Sequence, residues 1–190
     1  EREETSCYAE NAFNEVSDQC LIRPLDVKDS LCAEIDNPED LEHVSARLKE
    51  VENRTVYMCF SADMLHSGHI AIIRKAARLG KLTIGVLSDE AVISYKRYPL
   101  LPYAERKALF ENIRGVSRVV EQKTLSYREN LEKYKPDYVV HGDDWVTGFQ
   151  KPVREEVQEI LKTYGGKLVE FPYSRDEKYK ALENRARADL

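Results

Sequence analysis

The chain has 190 residues, of which 42% are hydrophobic and 33% charged, and its formal net charge at pH 7 is −5. This length accommodates one full domain and a smaller addition. We expect neither a membrane span, which needs roughly 18 consecutive apolar residues, nor a signal peptide. The four cysteines show no C-x-x-C spacing and no nearby histidines, which indicates reduced thiols in a cytoplasmic protein and argues against structural zinc.

The charge is unevenly distributed along the chain. Residues 1–52 contain 15 acidic and 5 basic side chains, whereas the remainder contains 19 and 24, so the net charges are −10 and +5. A mildly basic second part suits small phosphate ligands. Its basic residues are spread along predicted helices without repeated aromatic interleaving, so we expect no nucleic-acid partner.

The acidic first part predicts a small α+β segment. Helical spacing covers residues 8–16, and short strands are predicted at 21–25 and 31–35. Asn37-Pro38 supplies a cap followed by proline at the first helical position, which predicts a helix up to about residue 51. Because a segment of this size is short of core, we do not expect it to stand alone.

The second part opens with a strand, a tight turn and a helix that organise the rest of the chain. Residues 56–60 form an apolar run short enough for a buried parallel strand. The helix is indicated by apolar residues at helical spacing: Ile70, Ile72, Ile73, Ala76, Ala77 and Leu79. Gly68 lies just before this helix, where backbone can approach a ligand and free N–H groups attract phosphate oxygens.

Two histidines flank this glycine. His66 and His69 are three residues apart, so both imidazoles can donate hydrogen bonds to the same anion. Spacing alone favours two commoner alternatives, a metal site or a coincidence. The pair therefore predicts a phosphate clamp only together with further motifs.

Strands and helices alternate through the rest of the chain. Further strands are predicted at 81–87, from 118–120, at 138–140 and at 167–171, and further helices at 89–95, 103–113, 127–134, 152–164 and 177–190. Ser88 is a predicted cap, Gly165-Gly166 a predicted helix stop, and residues 96–102 a loop over the strand ends. This alternation predicts an α/β fold, a Rossmann-like parallel five-stranded sheet with helices on both faces, preceded by a small α+β remnant. The glycines lack the G-x-G-x-x-G pattern, which argues against a dehydrogenase.

Ordered motifs in the second part resemble those of a known family. His66-Ser-Gly-His69 resembles the HxGH motif of the nucleotidylyltransferase superfamily, and Ser61-Ala-Asp63 stands where those enzymes carry Thr-Phe-Asp. Three more motifs match the cytidylyltransferases in order and spacing: Tyr95-Lys-Arg97, Tyr103-Ala-Glu-Arg106 and His141-Gly-Asp-Asp-Trp145. Several ordered motifs are more specific than HxGH alone.

The resemblance extends over about residues 54–173 and is greatest to cytidylyltransferase domains fused to phosphoenolpyruvate mutases in phosphonate biosynthesis. It implies transfer of a cytidylyl group from CTP, bound with Mg²⁺, to a small phosphonate such as the 2-aminoethyl or 2-hydroxyethyl compound. Phosphoethanolamine or glycerol 3-phosphate is the alternative acceptor, as in other members of the family. A further alternative is a degenerate module that binds nucleotide or assembles a complex without turnover.

The resemblance implies four catalytic residues. His66 and His69 are expected to hold the triphosphate, with His69 nearest the bridging and α oxygens. Lys96 is expected to neutralise the acceptor phosphate and the α-phosphate, and Arg106 to hold nucleotide or acceptor. Taken alone, Lys96 is more typical of a solvated loop lysine.

The resemblance also implies a set of nucleotide-binding residues, and it implies no protein ligand for a metal. The set is Phe60, Ser61, Asp63, Gly68, Gly142, Asp143, Asp144 and Trp145. Ser61 and Asp63 are expected to shape the turn beneath the triphosphate, and residues 143–145 to meet the nucleotide. Core packing is the alternative role for Trp145.

One segment departs from the family pattern. Family members carry a Gly-Ile-Ser-Ser-Thr-like run whose hydroxyls meet the β- and γ-phosphates, whereas residues 174–180 here read Ser-Arg-Asp-Glu-Lys-Tyr-Lys. Either Arg175 and Lys178 substitute as point charges, or the domain is weakened or inactive.

The predicted domain organisation has three parts. Residues 1–52 resemble the C-terminal tail of sugar-phosphate and phosphocholine nucleotidyltransferases, in which the aspartate matching Asp36 helps to hold Mg²⁺; here a plain strand-end role for Asp36 is favoured. Residues 53–175 form the predicted cytidylyltransferase domain, and residues 176–190 a helical connector. We expect a piece of a larger multidomain chain and a possible homodimer.

Overall fold

The structure is a computed structural model, and it describes residues 9–21, 23, 32–61, 64–95, 98–172 and 177–188. The chain divides into two compact units, Glu1–Val44 and Ser45–Leu190. The larger unit contains the whole sheet.

The described residues before the sheet contain two helices and irregular segments. Helix α1 spans Ala9–Val16 as predicted, and α2 spans Pro38–Asn53. The N–H of Asp40 donates to the Asn37 side chain at 2.9 Å, which confirms the predicted cap. The strand predicted near residue 35 is wrong, because residues 32–36 are irregular and exposed and pair with no strand among the described residues. The strand predicted at 21–25 lies mostly outside the described residues.

Five parallel strands form one sheet. They are β1 Thr55–Phe60, β2 Lys81–Leu87, β3 Val116–Gln122, β4 Tyr138–Gly142 and β5 Lys167–Phe171, in the order β3-β2-β1-β4-β5. The prediction of a Rossmann-like parallel five-stranded sheet is confirmed. β3 begins two residues earlier than predicted.

Helices connect the strands, and one more helix follows the last strand. They are α3 Ser67–Ala77, α4 Asp89–Ile93, α5 Tyr103–Glu111, α6 Arg128–Tyr134, α7 Lys151–Tyr164 and α8 Glu177–Ala188, with short 3₁₀ turns at Asp143–Trp145 and Gly148–Gln150. Ser88 accepts a hydrogen bond from the N–H of Ala91 at 3.1 Å, so the predicted cap of α4 is confirmed. Gly165 ends α7 with a φ of 82°, which is left-handed and favours glycine.

Side chains alternate across the sheet and form a core on each face. Val56 and Met58 of β1 pack with one cluster that includes residues of α3 and α5. Tyr57, between them in sequence, packs with a second cluster that includes residues of α6 and α7. Helices therefore cover both faces, as predicted, and this packing fixes the strand ends where polar side chains gather.

Candidate active site

The strand order places a ligand crevice by topology. β1 has β2 on one side and β4 on the other, so the direction of winding reverses between β1 and β4. Open α/β sheets bind ligands outside the carboxyl ends of their strands at such a switch point. The histidine turn follows β1, and residues 143–145 follow β4. Both predicted motifs therefore lie at the same edge of the sheet.

The two predicted histidines lie against each other. The ring centroids of His66 and His69 are 3.9 Å apart, with 31° between the ring planes. Phe60, at the end of β1, packs edge-on against His69 at 5.7 Å and contacts Phe110 of α5 at 5.0 Å. The predicted residue Phe60 thus supports the histidine pair from the core side.

His66 caps helix α3 with its side chain. The N–H of Gly68 donates to Nδ1 of His66 at 3.1 Å. Because an accepting ring nitrogen carries no proton, the neutral imidazole has its proton on Nε2 and offers an N–H donor there. The helix begins at Ser67, so Gly68 is its second residue instead of preceding it as predicted. The first turn of α3 and the His66 donor together provide the N–H groups that an anion needs.

Helix α8 also contacts this turn. The ring of Tyr179 stacks on that of His66 with centroids 4.4 Å apart and 6° between planes. The Tyr179 and Ser67 hydroxyl oxygens are 3.3 Å apart. The sequence predicts this segment as a connector and does not indicate a role for Tyr179; the one signal is an aromatic residue in a charged helix.

The end of β4 carries a second aromatic pair. The rings of His141 and Trp145 stack with centroids 3.7 Å apart and 6° between planes. Nδ1 of His141 lies 2.8 Å from the carbonyl oxygen of Gly142, which can only accept, so Nδ1 carries the proton. Burial lowers the pKa of His141, although Gly142 and the Asp144 carboxylate oppose this effect. His141 is therefore neutral at pH 7 with Nε2 as an acceptor.

Trp145 belongs to the core as well as to the site. It is 1% exposed, and its indole Nε1 donates to Glu170 Oε1 at 2.6 Å. Arg154 of α7 forms a bidentate pair with Glu170, at 2.8 Å from Nε and 2.7 Å from Nη2. The hydrogen bonds from Arg154 lower the pKa of Glu170. This network links the ends of β4 and β5 to α7. Trp145 therefore has the buried position that a core-packing role requires.

The lowered pKa of Glu170 predicts a pH-dependent stability. A carboxylate with a depressed pKa stabilises the folded state above its unfolded pKa of about 4.3, and this contribution is lost as the pH falls through the folded value. We expect Glu170→Gln to reduce the free energy of unfolding by about 1–2 kcal/mol at pH 7, and by less below about pH 4. Denaturant unfolding at pH values from about 3.5 to 7, which span the titration of a glutamate, measures the free energy of unfolding of the parent and the variant.

Glu159→Gln is the matched control for this measurement, because Glu159 is an exposed residue of the same helix as Arg154. We expect it to match the parent at every pH. A Glu170→Gln deficit that stays the same at low pH would contradict a contribution from the ionised carboxylate.

Arg106 is completely buried in α5. Its Nε donates to the carbonyl of Leu101 at 3.0 Å, Nη1 to the carbonyl of Leu87 at 2.8 Å, and Nη2 to Asp89 Oδ1 at 2.5 Å. The other Asp89 oxygen accepts from the N–H of Tyr103 at 3.1 Å. Arg106 therefore joins α5 to the end of β2 and to the start of α4, and these contacts are structural ones that the sequence did not indicate.

The remaining predicted residues fall into two groups. Ser61 is half-buried after β1, Gly142 is buried at the end of β4, and Asp143 is exposed, whereas Asp144 is half-buried. Asp63, Lys96 and Arg175 lie outside the described residues, as does the side chain of Lys178. Within the described ranges, no group of three or more His, Cys, Asp or Glu side chains could hold a metal ion.

The fold and the site define a class of protein. A parallel sheet in this order, with polar turns at its switch point, is the arrangement of Rossmann-like nucleotide-binding folds. The chain belongs to the cytidylyltransferase-like family, whose model matches residues 58–185. A solved lipopolysaccharide core biosynthesis protein from Thermoplasma volcanium GSS1 has the same fold, with a TM-score of 0.55 and 22% identity, over 64% of this chain and 98% of that one.

Two curated relatives are cytidylyltransferases by name. The chain is 37% identical over 95 residues to an ethanolamine-phosphate cytidylyltransferase of Arabidopsis thaliana, covering 47% of this chain and 23% of the relative. It is 35% identical over 85 residues to a glycerol-3-phosphate cytidylyltransferase of Staphylococcus aureus (strain NCTC 8325 / PS 47), covering 44% and 64%. The matched region thus spans less than two thirds of each relative.

Among the helices that the structure describes, none combines the length and apolar character that crossing a membrane requires.

Proposed function

We propose that this chain transfers a cytidylyl group from CTP to a phosphorus oxyanion of a small acceptor and releases pyrophosphate. The observation that carries the proposal is the histidine pair at the start of α3, placed at the switch point of a cytidylyltransferase-like fold. The names of the relatives support the same reaction class.

The reaction needs no nucleophile from the protein. An oxygen of the acceptor attacks the α-phosphorus of CTP, a new P–O bond forms, and the bond between that phosphorus and the bridging oxygen of pyrophosphate breaks in line. The protein positions the two substrates and stabilises the charge that develops in the transition state. In this scheme the preset donors are the Nε2–H of His66, the ring of His69 and the N–H groups at the start of α3 other than that of Gly68, which donates to His66.

Two further residues complete the proposed site. Lys96 neutralises the acceptor and the α-phosphate by charge. Arg106 acts from its buried position by holding α5 against the strand end, and a direct contact with nucleotide or acceptor remains a prediction from resemblance. Mg²⁺ enters with CTP as part of the substrate and neutralises phosphate charge.

The acceptor is proposed to be 2-aminoethylphosphonate or 2-hydroxyethylphosphonate, on the resemblance of residues 54–173 to domains of phosphonate biosynthesis. Phosphoethanolamine and glycerol 3-phosphate fit the names of the relatives no worse. All four acceptors present a small doubly charged phosphorus group, so the same donors can receive them.

A nucleotide-binding or assembly module without turnover is the second candidate. The observation that favours it is the absence of a hydroxyl run at residues 174–180, where two acidic residues occur instead. Such a module binds CTP with Mg²⁺ but releases no pyrophosphate.

A pyrophosphate-release assay separates these candidates. CTP and Mg²⁺ are combined with each of the four acceptors, and the two phosphonates are expected to give the highest kcat/KM. A higher kcat/KM with phosphoethanolamine or glycerol 3-phosphate would contradict the proposed acceptor and support the proposed reaction. Binding of CTP without pyrophosphate release in the presence of any of the acceptors would contradict the enzyme and support the binding module.

We expect the protein to bind CTP at least tenfold more tightly than ATP. The segment from His141 to Trp145 resembles the cytidylyltransferase version of this strand end, and the His141 and Trp145 rings within it stack with centroids 3.7 Å apart. Calorimetric titration with each nucleotide and Mg²⁺ measures the two Kd values. Tighter binding of ATP would indicate an adenylyltransferase of the same superfamily.

A further inference from the structure

Tyr179 connects α8 to the histidine turn, although 112 residues separate it from Ser67 in sequence. Its ring stacks on His66 and its hydroxyl lies beside the Ser67 hydroxyl. We propose that Tyr179 is a positioning residue that holds the His66 ring in the orientation that caps α3 and leaves Nε2–H as the phosphate donor. This inference rests on the proposed function.

The His66 ring contacts two other rings. His69 lies 3.9 Å from it and Tyr179 lies 4.4 Å from it, measured between centroids. The Tyr179 ring is nearly parallel to that of His66, with 6° between the planes, whereas the His69 ring is tilted by 31°. Contacts with both rings restrict rotation of the imidazole about its own bonds.

The orientation of the ring decides which nitrogen is available. In the observed orientation Nδ1 accepts from the N–H of Gly68 at 3.1 Å. A half-turn of the ring exchanges Nδ1 with a carbon atom, which breaks this hydrogen bond and frees either nitrogen to carry the proton. The Nε2–H donor of His66 would then be present in only part of the protein molecules. Tyr179 therefore acts on the proposed reaction through His66.

The hydroxyl pair fixes the position of the tyrosine. Ser67 is the first residue of α3, and its Oγ lies 3.3 Å from the Tyr179 Oη. This contact anchors the ring of Tyr179 over the start of the helix whose cap it stabilises. We expect the stacked ring to contribute more than the hydroxyl, because the ring contacts His66 directly.

The kinetic test compares two substitutions at Tyr179. Tyr179→Leu removes the aromatic ring, and we expect kcat/KM for CTP to fall roughly three- to tenfold, the range that an aromatic pair typically supplies. Tyr179→Phe keeps the ring and is expected to stay within about twofold of the parent. The KM for the acceptor should not change. Leu182→Ala, at an exposed position of the same helix, is the matched control with parent kinetics.

A second measurement does not depend on turnover. Side-chain ¹⁵N NMR distinguishes an unprotonated Nδ1 from an unprotonated Nε2, and His66→Gln assigns the His66 signals by their disappearance. We expect an unprotonated Nδ1 in the parent and in Tyr179→Phe, and a mixture of tautomers in Tyr179→Leu. If the parent releases no pyrophosphate, the proposed function fails, whereas these spectra still test the positioning.

Two outcomes overturn the inference. One is a Tyr179→Leu variant with the kinetics and the His66 tautomer of an active parent. The other is a rise in kcat/KM in that variant, which would show that α8 obstructs the phosphate site instead of supporting it.

Discussion

Replacing His69 with alanine is expected to lower kcat/KM for pyrophosphate release by about 10²–10³-fold, the loss typical of removing one preset donor from a transition-state site. The His69 ring contacts the rings of both His66 and Phe60, so its orientation is set before the substrate arrives. Steady-state kinetics with CTP and the best acceptor measure the effect. A loss below about tenfold, or about 1.4 kcal/mol, would contradict a catalytic role.

The fold of this variant has to be checked separately. His69 is half-buried, so near-ultraviolet circular dichroism and a denaturant midpoint close to the parent are needed to assign the loss to chemistry. His43→Ala is the control for loss of a helix histidine, because His43 lies in α2, in the other compact unit. We expect it to retain the parent kcat/KM.

Replacing Arg106 with methionine is expected to lower the free energy of unfolding by about 2–4 kcal/mol. The guanidinium is fully buried, and its loss leaves the carbonyls of Leu87 and Leu101 without their donors. The loss is smaller than for a fully buried ion pair, because the partner Asp89 is 36% exposed and can be partly solvated. Equilibrium unfolding in urea measures the change.

The Arg106 variant also separates two roles. A structural role predicts a large loss of stability, whereas a ligand contact alone predicts a loss of kcat/KM at unchanged stability. Lys107→Ala is the matched control, since Lys107 neighbours Arg106 on α5, is 39% exposed and pairs only with Glu111 in the described contacts. We expect a change below about 0.5 kcal/mol for this control.

The strands and helices of the larger unit could be predicted well because their signals are local. The apolar run at 56–60 and the alternation at 81–87 became β1 and β2, and Ser88 and Gly165 mark helix ends as their chemistry indicates. The strand predicted at 31–35 failed in its described part for a non-local reason. A strand needs a partner for its backbone, and none of the described residues supplies one there.

The sequence by itself determined the class of fold, the family resemblance and the pair of histidines at the start of a helix, because periodicity, capping and motif spacing are properties of short segments. Only the tertiary structure decided what Arg106 and Tyr179 contact. Burial of the Arg106 guanidinium depends on α5 packing against the end of β2, and the stack of Tyr179 on His66 depends on α8 returning over 112 residues to α3. Contacts between segments so far apart follow from packing of whole elements, which no local pattern encodes.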